Sequence, residues 1–338
     1  MSKKKNKKVN KLLVYVLVLV AITIIAILFS AKQKPEAVNS IAKEDVAPII
    51  TLKNDTVILP VGGKFAVTAT ATDTEDGDIS SDIKASEIDT NTAGTYEVTL
   101  EVIDSAGNKA VAKQNVIVRA ELTNGLPVLM YHFFYDNVTY YQEDNNWLNI
   151  NDFEEQLKYL TENEYYYPTW EEVDQYIDGK IKLPEKSVVL TVDDGDASFF
   201  DLAVPMLQKY KVPATIFVIS EWYGWRYNAN MECVIFESHS HSMHESGGNG
   251  KGRMVNWSKE KIIEDLKLSS KTLGGADVFC YPFGHYDDTA IEALKETGYK
   301  MAFTIVGGRV SVGYNKYTLP RVRVTAGNSL NYFASSVR

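Results

Sequence analysis

The stretch SVVLTVDDGD, residues 187–196, decides how the rest of the chain is read. After Ser187, residues 188–192 are apolar or β-branched with little alternation, which suits a strand covered on both faces. Two adjacent carboxylates, Asp193 and Asp194, follow where the strand must end, and Gly195 permits a sharp turn there. Similar runs recur as LPVLMY (126–131), ATIFVIS (214–220), CVIFES (233–238), DVFCYPF (277–283) and VRV (322–324). Helix-period segments lie between them. NDFEEQLKYL (151–160) offers Asn151 as a cap, Glu154 three residues on, and Phe153, Leu157 and Leu160 on one face. Thr169 and Glu172 repeat the capping pattern, and SKEKIIEDLKLSS (258–270) and DTAIEALKETG (288–298) continue the alternation. Buried strands alternating with helices imply a parallel sheet under a helical cover. About seven strands, counted through VRV, point to an α/β barrel over residues 126–338.

Active sites of such parallel architectures lie at the C-terminal ends of the strands. Asp193 and Asp194 end one strand. Another, CVIFES, runs into SHSHSMH (238–244), which holds three of the chain's five histidines, His239, His241 and His244. Adjacent carboxylates repel, so stability alone does not select them. A metal ion can take one carboxylate while the other stays free as a base. An aspartate with two histidines is a metal set that leaves room for water. Spacing leaves two histidine pairs open. His241 and His244 would share one face of a helix, whereas His239 and His244 require the chain to bend as it leaves the strand.

LTVDDGD, SHSHSMH and FCYPFGHYDD, in that order, resemble the polysaccharide deacetylases, the family 4 carbohydrate esterases, over residues 126–325. The resemblance implies a distorted (β/α)7 barrel and a divalent metal, Zn²⁺ first, with Co²⁺, Mn²⁺ or Ni²⁺ as alternatives. It makes Asp193 the base and Asp194 a ligand. The commoner His-Ser/Thr-x-x-His spacing would need histidine at Met243. The His239–His244 spacing instead is similar to the poly-N-acetylglucosamine deacetylases, and makes those two residues ligands and His241 the spare. The usual Leu-x-His acid motif near the C-terminus is missing, since no histidine follows His285. That type has its histidine after a Met-Tyr pair, which here is His132. The arginine of the family's third motif is replaced by Cys280, leaving Arg321 or Arg323 to orient the base. Tyr281, Pro282 and Phe283 would line a sugar groove, with backbone N–H groups near Tyr281 facing the developing oxyanion. The implied activity is N-deacetylation of a cell-surface polysaccharide containing N-acetylglucosamine, either peptidoglycan or poly-N-acetylglucosamine. The alternatives are an O-deacetylase of the acetylxylan-esterase kind and a non-catalytic wall-binding protein.

The first eleven residues carry six lysines and no acid, and residues 12–31 are a charge-free apolar run. That run is long enough to span a bilayer. Lysines on its N-terminal side place residues 1–11 in the cytoplasm and everything after residue 31 outside, giving a single-pass membrane protein with an extracellular catalytic domain. Residues 32–46, polar with a proline, read as a linker. Residues 47–119 alternate with period two and contain turn signals such as Ser105–Asn108, the pattern of a small β-sandwich. They resemble bacterial immunoglobulin-like modules. DTEDGD (73–78) gathers four acids at a turn, which suits either a calcium ion or plain solvation. Outside the lysine tail, 29 basic residues face 44 acidic ones, a balance that argues against nucleic acid as a partner. Cys233 and Cys280 read as two thiols rather than a disulfide.

Overall fold

The computed structural model describes residues 45–338. The basic tail 1–11, the apolar run 12–31 and all but the last two residues of the linker 32–46 lie outside the described residues. Among the described residues no helix is long and apolar enough to cross a membrane.

The N-terminal domain is a two-sheet sandwich. Its strands are β1 (Ile49–Thr51), β2 (Thr56–Pro60), β3 (Thr70–Asp73), β4 (Gly77–Asp78), β5 (Lys84–Ala85), β6 (Gly94–Ile103) and β7 (Lys109–Arg119). One sheet has the order β1-β3-β4, the other β2-β7-β6-β5. The period-two pattern has its physical counterpart in β6 and β7. Val98, Leu100, Val116 and Val118 alternate inward to form the small core, and the chain turns at 104–108 between them. Arg119, the last residue of β7, donates to the Glu164 carbonyl and pairs with its carboxylate, tying the sandwich to the second domain.

That domain opens with β8 (Val128–Tyr131), β9 (Phe133–Tyr135) and β10 (Trp147–Asn149). It continues with β11 (Val189–Val192), β12 (Ala214–Val218), β13 (Val234–Ser238), β14 (Val278–Cys280), β15 (Met301–Gly307) and β16 (Leu319–Arg323). Seven parallel strands close in the order β11-β12-β13-β14-β15-β16-β8. The closure is uneven. β13 and β14 share a single register pair, Ser238 with Phe279, and the register slips between Phe303 and Gly307 where β15 meets β16. Every residue of β8, β11, β12 and β14 is buried, which is why these runs carry no alternation.

The first barrel helix starts two residues earlier than Asn151 suggests. It spans Ile150–Glu162 with Asn149 as its cap, because β10 runs up to Asn149 and that side chain accepts from the Asn151 N–H. Glu154 then faces outward to Lys209 and Tyr210. Thr169 and Glu172 do form the reciprocal capping box of helix Trp170–Ile177. Both cysteines are free thiols. Their strands are neighbours, but Cys233 precedes β13 while Cys280 ends β14, so in a parallel pair they sit at opposite ends.

Glu237, on β13, is buried, and its Oε2 accepts from the Asp277 and Val278 N–H groups. Burial pushes its carboxyl up to about 8, against the pull of those two N–H groups. The folded protein therefore holds a proton that the unfolded chain releases near its ordinary value of 4.5. Stability should fall as pH rises through that window. Glu237→Gln, which keeps an acceptor oxygen, should stabilise the fold at pH 8 by on the order of a few kcal/mol, seen as a higher melting temperature, and leave stability unchanged near pH 4. Thermal denaturation of both proteins across that range checks this, and parallel curves would refute it.

Candidate active site

Asp193 and Asp194 follow β11 directly and point to different partners. Asp193 continues the ladder, its N–H donating to the Tyr131 carbonyl. Asp194 then adopts φ +74°, a left-handed conformation rare outside glycine, and Gly195 follows at φ +88°. A Cβ at Gly195 would also crowd the Val218 side chain at 3.3 Å. The turn separates two carboxylates that an extended chain could not direct to one pocket.

Asp193 is 2% exposed and its carboxylate is gripped at both oxygens by Arg321, each contact 2.7 Å. Arg321 is fully buried and also donates to Thr191 Oγ1, the Thr304 carbonyl and Cys280 Sγ. Burial works to raise the Asp193 carboxyl, but the guanidinium charge and its hydrogen bonds outweigh burial and hold it well below the carboxylate range. His132, just past β8, brings Nε2 to 3.7 Å from Asp193 Oδ2. Burial pushes the His132 imidazole down, partly countered by the two aspartates.

Asp194 Oδ1 lies 3.3 Å from His239 Nε2 and 3.4 Å from His244 Nε2. Donors bound tetrahedrally at about 2.0–2.1 Å stand about 3.3–3.4 Å apart, so this spacing fits a divalent cation. His239 Nδ1 sits 2.7 Å from the Cys280 carbonyl. A carbonyl only accepts, so Nδ1 carries the proton and Nε2 presents its lone pair to the site. Burial pushes the His244 imidazole down, toward the neutral form that a ligand must have. The bend between the histidines is built by Ser240 at φ +73° and by Asp265. Asp265 accepts from the His241 and Ser242 N–H groups and from the Ser242 hydroxyl. These residues open onto a cavity of about 310 Å³ lined also by Phe133, Asn146, Tyr281, Phe283, Ile305 and Arg323.

The residues matched by known families fall across this geometry. Residues 180–302 match the family described as Polysaccharide deacetylase, and residues 50–118 match Bacterial surface protein, Ig-like domain. The chain carries a polysaccharide deacetylase domain behind an Ig-like domain. Over 192 residues it is 30% identical to poly-beta-1,6-N-acetyl-D-glucosamine N-deacetylase of Staphylococcus aureus, covering 51% of this chain and 66% of that protein, just under two thirds. Among solved structures, IcaB from Ammonifex degensii matches with a TM-score of 0.54 at 26% identity, over 64% of this chain and 98% of that one. The Streptococcus pyogenes deacetylase PplD, solved in complex with acetate, matches with a TM-score of 0.55 at 24% identity, over 64% and 100%, and speaks for the fold alone.

Within the deacetylase domain, Asp193, Asp194, His132, His239 and His244 are brought to one pocket, as are Tyr281 and Phe283. His241, the spare of the three histidines, turns away, its Nδ1 3.0 Å from Ser220 Oγ. Two expectations need adjusting. Pro282 does not line the cavity; it is buried in the tight turn Pro282–Gly284. The Tyr281 N–H is spent on the Phe303 carbonyl, so it is not free for an oxyanion. Of the two arginines, Arg321 holds Asp193 while Arg323 donates to Asn146 Oδ1. Asp265, Asn146 and Ile305 were missed. Asp265 sits within the helix Lys259–Thr272, where an acid reads as surface, and Ile305 looks like ordinary strand.

Removing one partner of the buried pair leaves a stranded charge. Arg321→Met should cost about 3–5 kcal/mol in urea unfolding. The double variant Arg321→Met/Asp193→Asn should lose less than the sum of the two single changes. Simple additivity would show that the pair is not coupled as drawn.

Proposed function

We propose that the chain is a metal-dependent hydrolase that removes N-acetyl groups from a cell-surface polysaccharide containing N-acetylglucosamine. One observation carries this reading: Asp194, His239 and His244 converge with cation spacing while Asp193 is gripped at both oxygens by Arg321 and faces His132. The Staphylococcus relative's name supports poly-N-acetylglucosamine over peptidoglycan as the substrate.

A divalent cation, Zn²⁺ first by its donor set, would supply Lewis acidity toward the acetamide carbonyl and toward water. Asp193 takes a proton from the attacking water, whose oxygen bonds to the acetyl carbon. Arg321 keeps Asp193 ionised and oriented for that step. The same grip makes Asp193 a poor place for the proton to stay. His132, 3.7 Å away, receives it and delivers it to the departing nitrogen as the C–N bond breaks. The products are acetate and a free amine, which becomes a cation on the polymer. Phe283, half-exposed over the His244 ring at 4.2 Å between centroids, offers a flat face for a sugar ring. The apolar run 12–31 would anchor the protein as a single-pass membrane protein with this domain outside the cell.

The test is acetate release from β-1,6-linked N-acetylglucosamine oligomers by chelator-stripped protein, with metals restored singly. Activity should vanish on stripping and return best with Zn²⁺ or Co²⁺. Asp193→Asn and His132→Ala should each lower kcat by about 10²–10⁴ with little change in KM. Release from acetylated xylan but not from the N-acetylated oligomers would transfer the reading to O-deacetylation. Polysaccharide binding without acetate release under any metal would end it.

A further inference from the structure

The Ig-like domain contains a second cluster that the deacetylase chemistry does not use. Three acid-bearing segments meet at one end of the sandwich: the chain at Asp45, the end of β3 at Asp73, and the turn after β6 at Asp104. One carboxylate oxygen from each lies within 4.8 Å of the others. The turns are stitched together, since the Ser105 N–H and hydroxyl both donate to Asp76. Asp73 Oδ1 is used locally, accepting from the Glu75 and Asp76 N–H groups, and Asp104 Oδ1 accepts from Asn108. The second oxygens differ. Asp73 is 8% exposed and Asp104 7%, and Oδ2 of each is buried with no hydrogen-bond partner among the described residues.

A buried carboxylate oxygen without a donor costs free energy, and two beside each other cost more through repulsion. The Asp45 carboxyl is accordingly pushed up, by desolvation first and then by Asp104, Glu75, Asp73 and Asp76. The fold spends two well-buried positions on this arrangement, which a solvated turn would not require. A cation resolves it. The donors are all oxygen, so the site suits a hard ion rather than a zinc-type ion. They come from three separate segments, one of them exposed, and such irregular carboxylate sets are accommodated by Ca²⁺, whereas Mg²⁺ demands near-octahedral regularity.

We propose that Asp45, Asp73 and Asp104 form a Ca²⁺ site that clamps the start of the Ig-like domain to its two turns. The site is wider than the acidic turn 73–78 alone, since two of its three carboxylates lie outside that turn. Its consequence is mechanical. Bound Ca²⁺ fixes the chain where it leaves the 32–44 segment, and so fixes the direction from which the two domains hang.

The experiment is calorimetric titration of Ca²⁺ into the chelator-stripped full chain, alongside thermal melts with and without Ca²⁺. Asp194→Ala serves as background, to remove the barrel's candidate metal site. One equivalent should bind with Kd about 10⁻⁴–10⁻³ M and should be unaffected by Asp194→Ala. The melting transition of the Ig-like domain should rise with Ca²⁺. Asp104→Asn, nearly isosteric, should weaken binding at least tenfold. Asp45→Ala, at an exposed position that the fold does not depend on, should weaken it several-fold. No saturable heat up to 10 mM Ca²⁺, affinity indifferent to both substitutions, or preference for Mg²⁺ would each overturn the assignment. Loss of deacetylase activity in any of these proteins would bear on the barrel alone.

Discussion

The Arg321–Asp193 pair is the constraint around which the barrel's working end is arranged. A fully buried guanidinium is tolerable only when its charge and its donors are satisfied. Here Asp193, Thr191, Thr304 and Cys280 between them meet that demand. Such a pair is not the most stable way to fill a core, because apolar residues of similar volume often do as well or better. Its value lies in fixing one carboxylate, ionised and immobile, at the strand end. Once Asp193 is committed to Arg321, its neighbour cannot share the same partner. Asp194 must turn the other way, and the left-handed backbone at Asp194 is the geometric result.

The same pocket collects two further strained residues. Ser240 (φ +73°) bends the histidine loop and Phe283 (φ +59°) presents its ring beside His244. Left-handed non-glycine residues cost on the order of 1–3 kcal/mol each and persist only where the surroundings over-determine them. Those surroundings are visible. Asp265 accepts three hydrogen bonds from the histidine loop, Met243 is buried beneath it, and Gly284 packs so closely on Ile305 that a Cβ would come within 2.5 Å. The strain and its supports sit at the C-terminal ends of the strands, while the opposite end has the domain junction.

What could be read in the sequence follows from what physics writes locally. Runs such as SVVLTV and ATIFVIS announced buried parallel strands because both their faces are covered. The carboxylate pair and the histidine run stood out because stability does not select them. Asp265 and Arg321 were harder for opposite reasons. Asp265 is buried on a helix whose pattern reads as a solvated face. Arg321 and Arg323 stand two apart on β16 and so share one face; only depth along the strand separates them, Arg321 buried inside the barrel and Arg323 exposed at the strand's end. The cap at Asn149 rather than Asn151 depended on where β10 stops. The Asp45–Asp73–Asp104 cluster joins residues up to 59 positions apart, and only the DTEDGD turn among them carried a local signal.

The two acidic clusters show one physical problem with two solutions. In the barrel, the repulsion between Asp193 and Asp194 is relieved by an arginine 128 residues away in sequence and by two imidazoles. In the Ig-like domain, Asp73 and Asp104 meet with no such donor at their Oδ2 atoms among the described residues. The difference in donor type separates the two sites chemically. Imidazole nitrogens favour borderline ions of the zinc type, and carboxylates alone favour hard ones. The two clusters thus differ in kind, one mixing a carboxylate with two imidazoles at the barrel mouth and the other made of carboxylates alone.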